Sequence, residues 1–427
     1  MHLRCLVPNL PFFPSEGALG APSGCASPRE VAGIPGRGEP CECAPTAPGA
    51  GVMAGGMAGM PPFTWDLSQV ISSGRDGTCI MRGLRGTRPI AVKRMPLHNV
   101  ALAQNEIQIL EENDAHPNVI RYYEHHQDMN YIYLALELAA GSLNDYVLSP
   151  RYRAALPPNE VCLEITQGVS YLHGLRMVHR NLKPSNILFV TVKEDLILIK
   201  ITDYAITKIL EDTESFTSSS TVGSLSYAAP ELLEPGERRT AKADIYSLGH
   251  VFYFVLTNGG PVARGLGNLN AIQNGAQRIL LAAMVSRNPD ARPSAPDILV
   301  HPAFWSPEKC VQFIQVLSNS APKGFNFETY RAQAFTGDWT SLLDTGLVAR
   351  MSGHRRYNGN SFGDLIRMVR NLTHHLSEYP DLAMIIGNTD ESLMVYVNMR
   401  LPNFIYYAWL TGRSLVGQVD QISRFYE

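Results

Sequence analysis

The sequence Val178-His-Arg-Asn-Leu-Lys-Pro-Ser-Asn-Ile-Leu188 follows a segment, Asn159 to Leu175, that is predicted to be helical. Further short motifs come after it in a fixed order: Ile201-Thr-Asp203-Tyr-Ala205, Ala229-Pro-Glu231, Asp244-Ile-Tyr-Ser-Leu-Gly249 and Arg292-Pro293. Each motif is weak by itself, but a chance agreement of so many in this order is negligible. The ordered motifs between Val178 and Pro293 therefore indicate the fold of the middle of the chain.

The region before these motifs, residues 65 to 99, alternates apolar and polar residues around glycines. That alternation predicts antiparallel strands. Gly74 and Gly77 form a glycine turn, Lys93 stands in a strand that follows, and Glu106 stands in the helix predicted after it. A glycine turn followed by a strand with an inward lysine can fold over phosphates. Taken alone the pattern is weak, since glycine turns and surface lysines are common.

Together and in this order, the motifs resemble a protein kinase domain over residues 65 to 305. The resemblance implies a bilobal α+β fold that binds ATP or ADP with Mg²⁺. Lys93 would pair the phosphates and Glu106, and Asn186 and Asp203 would hold Mg²⁺ through hard oxygen ligands. The implied nucleotide site comprises Gly74, Gly77, Lys93, Glu106, Glu137, Ala139, Lys183, Asn186 and Asp203, with the backbone of Glu137 and Ala139 meeting adenine. Glu231 and Arg292 would form an internal ion pair.

The sequence departs from the kinase pattern at residues that matter for phosphoryl transfer. Asn181 stands where the pattern has the catalytic Asp, and a neutral amide cannot accept a proton from an incoming hydroxyl. The metal motif ends in Ala205 instead of glycine, and Ser72 replaces the first glycine of the turn. The run Ser215 to Thr221 predicts a mobile loop that phosphorylation could order against arginines. These departures predict a nucleotide site with impaired transfer.

Near the C-terminus, the segment from Phe362 to Leu376 carries an apolar stripe at helical spacing: Phe362, Leu365, Ile366, Val369, Leu372 and Leu376. Asn371 and His375 lie four residues apart on the opposite face, with Arg370 beside them. From Arg350 to His375 the only acidic residue is Asp364. Such a cluster suits a phosphodiester. By itself it also fits a solvated basic face of an amphipathic helix.

An ordinary kinase would end near Trp305, but this chain continues for about 120 residues. A kinase followed at once by the spacing Tyr357, Arg370-Asn371 and His375 resembles the kinase-extension nuclease (KEN) family, whose members include the kinase–endoribonuclease of the unfolded-protein response and ribonuclease L. The sequence has no ankyrin repeats, so it resembles the ribonuclease L branch less than the branch of the unfolded-protein response. The resemblance implies three regions: a disordered leader (1–62), the kinase-like domain (65–305) and an all-α KEN domain (306–427).

The resemblance implies an endoribonuclease in which the 2′-OH of a stem-loop RNA attacks its own phosphate, without a metal or other cofactor. Catalysis would rest on Tyr357, Arg370, Asn371 and His375. His375 would be the general acid, because its ordinary pKa lies near neutrality, and Arg370 and Asn371 would stabilise the phosphate. Paired protomers are implied as well. Two alternatives stay open: an active Ser/Thr kinase that tolerates Asn181, and a non-enzymatic pseudokinase scaffold.

Composition sets limits on these expectations. A net charge of −3 argues against bulk electrostatic binding of nucleic acid, so any RNA site must be local. Seven scattered cysteines, an odd number, argue against a disulfide framework and favour a reducing compartment. No apolar run reaches about 18 residues, so we expect no membrane span. Residues 1 to 62 hold 11 Gly and 11 Pro and are expected to be disordered or a gene-model artefact.

We therefore expect a protein on the cytoplasmic face, soluble as given. Association with the endoplasmic reticulum membrane would follow if an N-terminal sensor belongs to the full protein, because this sequence shows no lumenal sensor and no membrane helix. The physiological RNA and the activating signal do not follow from the residues.

Overall fold

The computed structural model describes residues 62–74, 77–113, 116–193, 196–203, 208–209, 226–233, 240–262, 266–353, 355–375 and 380–427. Several sequence predictions lie outside these residues: the leader before Pro62, the loop Ser215 to Thr221, Ala205 of the metal motif and Leu376 of the apolar stripe. The backbone of His375 is described as the last residue of a helix, without its side chain.

The N-terminal part of the fold is a five-stranded antiparallel sheet in the order β1-β2-β3-β5-β4. Its strands are β1 (Thr64–Ser73), β2 (Cys79–Arg85), β3 (Arg88–Pro96), β4 (Tyr122–Gln127) and β5 (Tyr131–Glu137). The central strand β3 is apolar and buried from Ile90 to Val92, and Lys93 pairs in register with Leu134. Helix α1 (Val100–Asn113) packs against β3, β4 and β5. The predicted strands and the helix bearing Glu106 are thus confirmed.

The following lobe is mainly helical. Its strands are β6 (Gly141–Ser142), β7 (Met177–Val178), β8 (Ile187–Lys193), β9 (Leu196–Ile201) and β10 (Lys208–Ile209). Its helices are α2 (Leu143–Leu148), α3 (Pro150–Ala155), α4 (Pro158–Gly174), α5 (Lys242–Leu256), α6 (Gly275–Met284) and α7 (Ala295–Leu299). Helix α4, predicted from Asn159 to Leu175, packs against α5, α7 and β9. This is the expected bilobal α+β arrangement.

In the C-terminal part, the regular secondary structure of the described residues is all helical. The helices are α8 (Pro307–Ser320), α9 (Arg331–Ala334), α10 (Thr345–Ser352), α11 (Phe362–His375), α12 (Pro380–Ile386), α13 (Asp390–Arg400), α14 (Phe404–Arg413) and α15 (Asp420–Ser423). The apolar stripe of α11 is buried as predicted, with Phe362, Leu365 and Ile366 wholly inaccessible. Helix α8 packs against α11, α13 and α15.

A single hydrophobic core joins the kinase-like lobe to the C-terminal helices. Leu281 and Phe304 of the lobe belong to the same cluster as Phe313 of α8, Phe362 of α11 and Phe404 of α14. At the junction, α14 packs on α6 and on the short 3₁₀ turn Pro302–Phe304. The lobe is therefore packed continuously with the helix that carries Arg370 and Asn371.

Gly275, the first residue of α6, lies at the closest approach across this junction. A Cβ at this position would lie 2.0 Å from the carbonyl oxygen of Pro402, which precedes α14. Backbone atoms cannot rotate away from such a contact as a flexible side chain can. A glycine is therefore required for the two parts to pack as they do.

Among the described residues, no helix is both long enough and apolar enough to cross a lipid bilayer.

Substituting Gly275 tests the junction. Gly275→Ala must displace the chain at Pro402, and we expect it to lower the free energy of unfolding by about 1–3 kcal/mol, as overpacking does elsewhere. Urea denaturation followed by circular dichroism measures the change.

Gly346 of α10 provides the matched control, because a Cβ there would meet no described atom within 4 Å. Gly346→Ala is expected to leave stability unchanged or raise it by up to about 1 kcal/mol, since Ala favours helices. Equal shifts for the two variants would show that the junction is not tightly packed.

Candidate functional site

Lys93 lies at the centre of a buried charge cluster between the two lobes. Its Nζ donates to both carboxylate oxygens of Glu106 at 2.8 and 2.7 Å, and to Oδ1 of Asp203 at 3.1 Å. Burial alone would lower the pKa of Lys93, but the two carboxylates raise it above its ordinary value. The predicted Lys93–Glu106 pair is therefore confirmed, and the ammonium group is held in its charged form.

Two amide groups reach the other oxygen of Asp203. Nδ2 of Asn181 donates to Oδ2 at 2.9 Å, and Nδ2 of Asn186 donates to the same oxygen at 3.1 Å. Burial would raise the pKa of Asp203, but Lys93, His179 and Lys183 together lower it below its usual range. The structure thus brings the predicted residues Lys93, Lys183, Asn186 and Asp203 into one site, with Asn181 as a direct contact.

The loop that carries Asn181 is held by a second buried carboxylate. Asp244 accepts hydrogen bonds from the backbone N–H groups of His179 and Arg180 at 2.8 and 2.7 Å, and contacts Nε2 of His173 at 3.0 Å. Burial opposes ionisation, yet these contacts lower the pKa of Asp244. Asp244 therefore holds the backbone of the two residues that precede Asn181.

The predicted ion pair between Glu231 and Arg292 is confirmed. Nη2 of Arg292 donates to Oε2 of Glu231 at 2.9 Å, and the guanidinium lies over the ring of Tyr246. Both charged residues are buried. The pair joins residues 61 positions apart in the sequence.

The predicted adenine contacts lie where β5 ends. Glu137 pairs in register with Ile90 of β3, and its N–H donates to the carbonyl of Arg121 at 2.9 Å. The N–H of Ala139 has no acceptor among the described residues.

The predicted glycine turn lies between β1 and β2. The N–H of Gly74 donates to the carbonyl oxygen of Thr78. Gly77 has a φ of +80°, a backbone conformation that favours glycine.

The residues predicted to hold Mg²⁺ present a suitable donor set. Nδ2 of Asn186 donates to the carbonyl of Asn181 at 2.9 Å and to Oδ2 of Asp203 at 3.1 Å, and its Oδ1 accepts from Oγ of Ser185 at 3.4 Å. Oδ1 of Asn186 and the carboxylate of Asp203 are the oxygens that would hold the ion. Amide and carboxylate oxygens are hard ligands of the kind that Mg²⁺ prefers. The residues fit the ion, and its roles here remain a prediction.

The second candidate site lies on α11. Nδ2 of Asn371 donates to Oη of Tyr357 at 2.7 Å, which brings the loop before α11 onto its polar face. Both side chains are half-buried. His375 follows Asn371 by one helical turn, so its backbone places it on the same face. His374 is exposed.

Arg370 adjoins this pair and has an unsatisfied donor. Its Nε is buried and has no acceptor among the described residues. An unpaired buried N–H typically costs about 1–3 kcal/mol, and more when charged.

Asp364, the only acid in this basic stretch, is neutralised locally. Its carboxylate pairs with Arg367 at 2.9 Å and Arg355 at 3.8 Å, and accepts from the N–H of Asn358 at 2.9 Å. Arg356 stays exposed. The surface around Tyr357 and Arg370 is therefore positive where a phosphodiester would bind.

Sequence reasoning missed two residues that position this loop. Glu328 caps the start of α11, since its carboxylate accepts from the N–H groups of Phe362 and Gly363 at 2.8 and 3.2 Å. Nε1 of buried Trp339 donates to the carbonyls of Asn358 and Ser361.

The sequence carries a signal for the start of α11 but none for Glu328. Glu328 has no local signal because it lies far upstream in sequence. The spacing of Ser361 and Asp364 is the capping signal that marks the helix start, and the N–H of Asp364 does donate to Oγ of Ser361.

Two protein families match this chain. The family described as "Protein kinase domain" matches residues 65–323, and "Ribonuclease 2-5A" matches residues 318–426. The division between residues 305 and 306 stays a prediction, because the two matches overlap within and just after α8.

Several relatives match most of the chain. It is 34% identical over 386 residues to the human serine/threonine-protein kinase/endoribonuclease IRE2, covering 83% of this chain and 42% of that protein. The chain is 30% identical over 443 residues to the serine/threonine-protein kinase/endoribonuclease IRE1 of Hypocrea jecorina, and the match covers 88% of this chain and 36% of that protein. The chain is 27% identical over 414 residues to the Schizosaccharomyces pombe sensor for unfolded proteins in the ER, ire1, and the match covers 84% of this chain and 39% of that protein.

The chain therefore spans less than half the length of each of these relatives. The order of its two domains is the order that its motifs predicted, a kinase domain followed by a ribonuclease domain. The chain belongs to the kinase-extension nuclease family.

Proposed function

We propose that this protein is an endoribonuclease that cleaves stem-loop RNA and is regulated by adenine nucleotide bound to its kinase-like domain. The observation that carries the proposal is the hydrogen bond between Asn371 and Tyr357, which joins the predicted residues beside the unsatisfied Nε of Arg370. A solvated basic face would not need a tyrosine hydroxyl fixed against an amide.

The reaction needs one group to accept a proton from the 2′-OH and another to give one to the leaving oxygen. His375 and Tyr357 fill these roles, with His375 as the general acid. Arg370 and Asn371 bind the phosphate and stabilise the charge that develops on its oxygens. The attacking 2′-OH becomes part of a 2′,3′-cyclic phosphate, and the 5′-oxygen leaves with the proton.

An RNA loop suits this surface better than a duplex. Loop nucleotides can splay out their bases, 2′-OH and phosphate, whereas an A-form duplex holds each sugar and phosphate in the fixed geometry of the helix. The positive side chains are confined to one stretch of the chain, in keeping with its slightly negative net charge. Within the described residues, no group of three or more His, Cys, Asp and Glu side chains is arranged to hold a metal ion.

The kinase-like domain acts as a ligand-binding regulator with impaired transfer. Lys93 and Lys183 meet the phosphates, while Asn186 and Asp203 would hold Mg²⁺, which neutralises phosphate charge when bound. Asn181 donates its amide to Asp203 and cannot accept a proton from a substrate hydroxyl. The shared core supports coupling of the bound nucleotide to α11.

The cellular role follows from the relatives. One of them is named as a sensor for unfolded proteins in the endoplasmic reticulum. We place the present activity in the unfolded-protein response, on the cytoplasmic face of that organelle, with paired protomers as the active form.

Four variants test the nuclease assignment by single-turnover cleavage of one stem-loop RNA in EDTA. His375→Ala removes the proton donor and is expected to lower the rate about 10²- to 10⁴-fold. Tyr357→Phe removes only a hydroxyl, and Arg370→Lys keeps the charge but loses Nε and the planar fork; both should be strongly impaired.

The fourth variant, His374→Ala, is the matched control because it removes the exposed neighbouring imidazole. Its rate should stay within about threefold of wild type, since surface substitutions have small effects. Small and equal losses at His374 and His375 would instead support a solvated basic face. Absence of cleavage by wild-type protein would favour the scaffold alternative.

Asn181→Asp tests the kinase assignment. Wild-type autophosphorylation should be slow, because loss of a general base lowers the rate about 10²- to 10⁴-fold. The variant should transfer phosphate from ATP faster, with unchanged ADP affinity in Mg²⁺. Ordinary kinase rates in wild-type protein, measured with labelled ATP, would support the active-kinase alternative.

Nucleotide activation of the nuclease should not require phosphoryl transfer. A ligand shifts a conformational equilibrium only through its differential affinity for the two states, and ADP fills the same cleft as ATP. We expect ADP, ATP and a non-hydrolysable analogue to raise RNA cleavage equally over nucleotide-free protein. A requirement for a hydrolysable γ-phosphate would contradict this coupling.

A further inference from the structure

The carboxylate of Asp203 accepts hydrogen bonds from three donors of this chain. Oδ2 accepts from the amides of Asn181 and Asn186, and Oδ1 accepts from the ammonium of Lys93. A carboxylate offers about four lone-pair sites, so three of them are already used. The carboxylate is nevertheless reachable, because 31% of its side chain is exposed.

The contact from Asn181 exists only because position 181 carries an amide. A carboxylate there, as in the kinase pattern, would stand as a like charge within about 3 Å of Asp203, and such pairs repel unless a cation lies between them. The amide replaces that repulsion with a hydrogen bond of 2.9 Å. The substitution that removes the catalytic base therefore also compensates the charge of the metal-holding residue.

A divalent cation normally has two tasks in such a site: it offsets the acidic residues and it screens the nucleotide phosphates. Here the first task is largely done by Asn181, Asn186 and Lys93. The second task, screening the nucleotide phosphates, falls to the positive charges of Lys93 and Lys183, which both act on Asp203. Mg²⁺ loses its hydration water reluctantly, so displacing existing donors brings it little gain.

We propose that adenine nucleotide binds this protein with little dependence on divalent cations, and that Asn181 is the residue responsible. The inference rests on the proposed nucleotide site and specifies its cofactor requirement. It makes the occupied, nuclease-competent state accessible to free ADP as well as to its magnesium complex. The residues can still hold the ion, but affinity does not depend on it.

Isothermal titration of the full chain with ADP, in EDTA and in Mg²⁺, tests the proposal. The ratio of the two dissociation constants is the readout, and it is independent of either catalytic activity. For wild-type protein the constants should agree within about threefold, which is less than 1 kcal/mol. For Asn181→Asp, binding in EDTA should weaken by about tenfold or more, with affinity restored by Mg²⁺, because the new carboxylate repels Asp203 and the phosphates.

Two further variants distinguish an effect of charge at position 181 from a nonspecific effect of substitution. Asn181→Ala removes the donor without adding a charge, so its ratio should lie between those of wild type and Asn181→Asp. Asn268→Asp makes the same chemical change at an exposed residue whose Oδ1 only caps the N–H of Asn270. It should keep the wild-type ratio. Circular dichroism confirms that each variant is folded.

The outcomes distinguish this inference from the proposed function. Wild-type binding in Mg²⁺ that weakens tenfold or more in EDTA would overturn metal independence and leave the nucleotide site standing. Equal ratios for wild type and Asn181→Asp would overturn the role of Asn181. Wild-type protein that binds ADP in neither buffer would overturn both the inference and nucleotide regulation. If Asn181→Asp does not fold, the wild-type ratio still tests metal independence, and the ratio for Asn181→Ala still tests the role of Asn181.

Discussion

The hydrophobic core shared by the kinase-like lobe and the C-terminal helices is the constraint on which both sites depend. Helix α8 contributes Phe313 to the same cluster as Phe304 before it and Phe362 of α11 after it. Gly275 lets the loop at Pro402 approach the lobe at backbone distance. Neither part can shift without disturbing the packing of the other. The kinase-like lobe and α11 therefore belong to one packed unit.

The two sites handle charge in opposite ways. At the nucleotide site, Asp203 is compensated by donors from the protein itself, so the cluster is balanced before any ligand arrives. On α11, the single acid Asp364 is paired with Arg355 and Arg367, while Nε of Arg370 has no described acceptor. A balanced site suits a regulatory ligand held in place, and an unbalanced positive site suits an anionic substrate.

Much of the fold was predictable because its signals are local. Helix α11 follows from a stripe at helical spacing, and five of the six stripe residues are buried; Leu376 lies outside the described residues. The strand bearing Lys93 follows from alternation next to a glycine turn, and its partner Glu106 from the kinase motif order. Proximity of Tyr357 to Asn371 was implied only by family resemblance, because thirteen intervening residues of loop and helix could place them in many ways.

The sequence by itself determined the order of the domains, the main helices and strands and the chemical types at each site, since periodicity and short motifs are written in neighbouring residues. Tertiary structure alone decided which donors reach Asp203, that Glu328 caps α11, and that Trp339 holds the loop before it. The physical reason is that each of these contacts joins residues far apart in the chain. Their distances depend on how whole lobes pack and loops close, and no local pattern of residues encodes that packing.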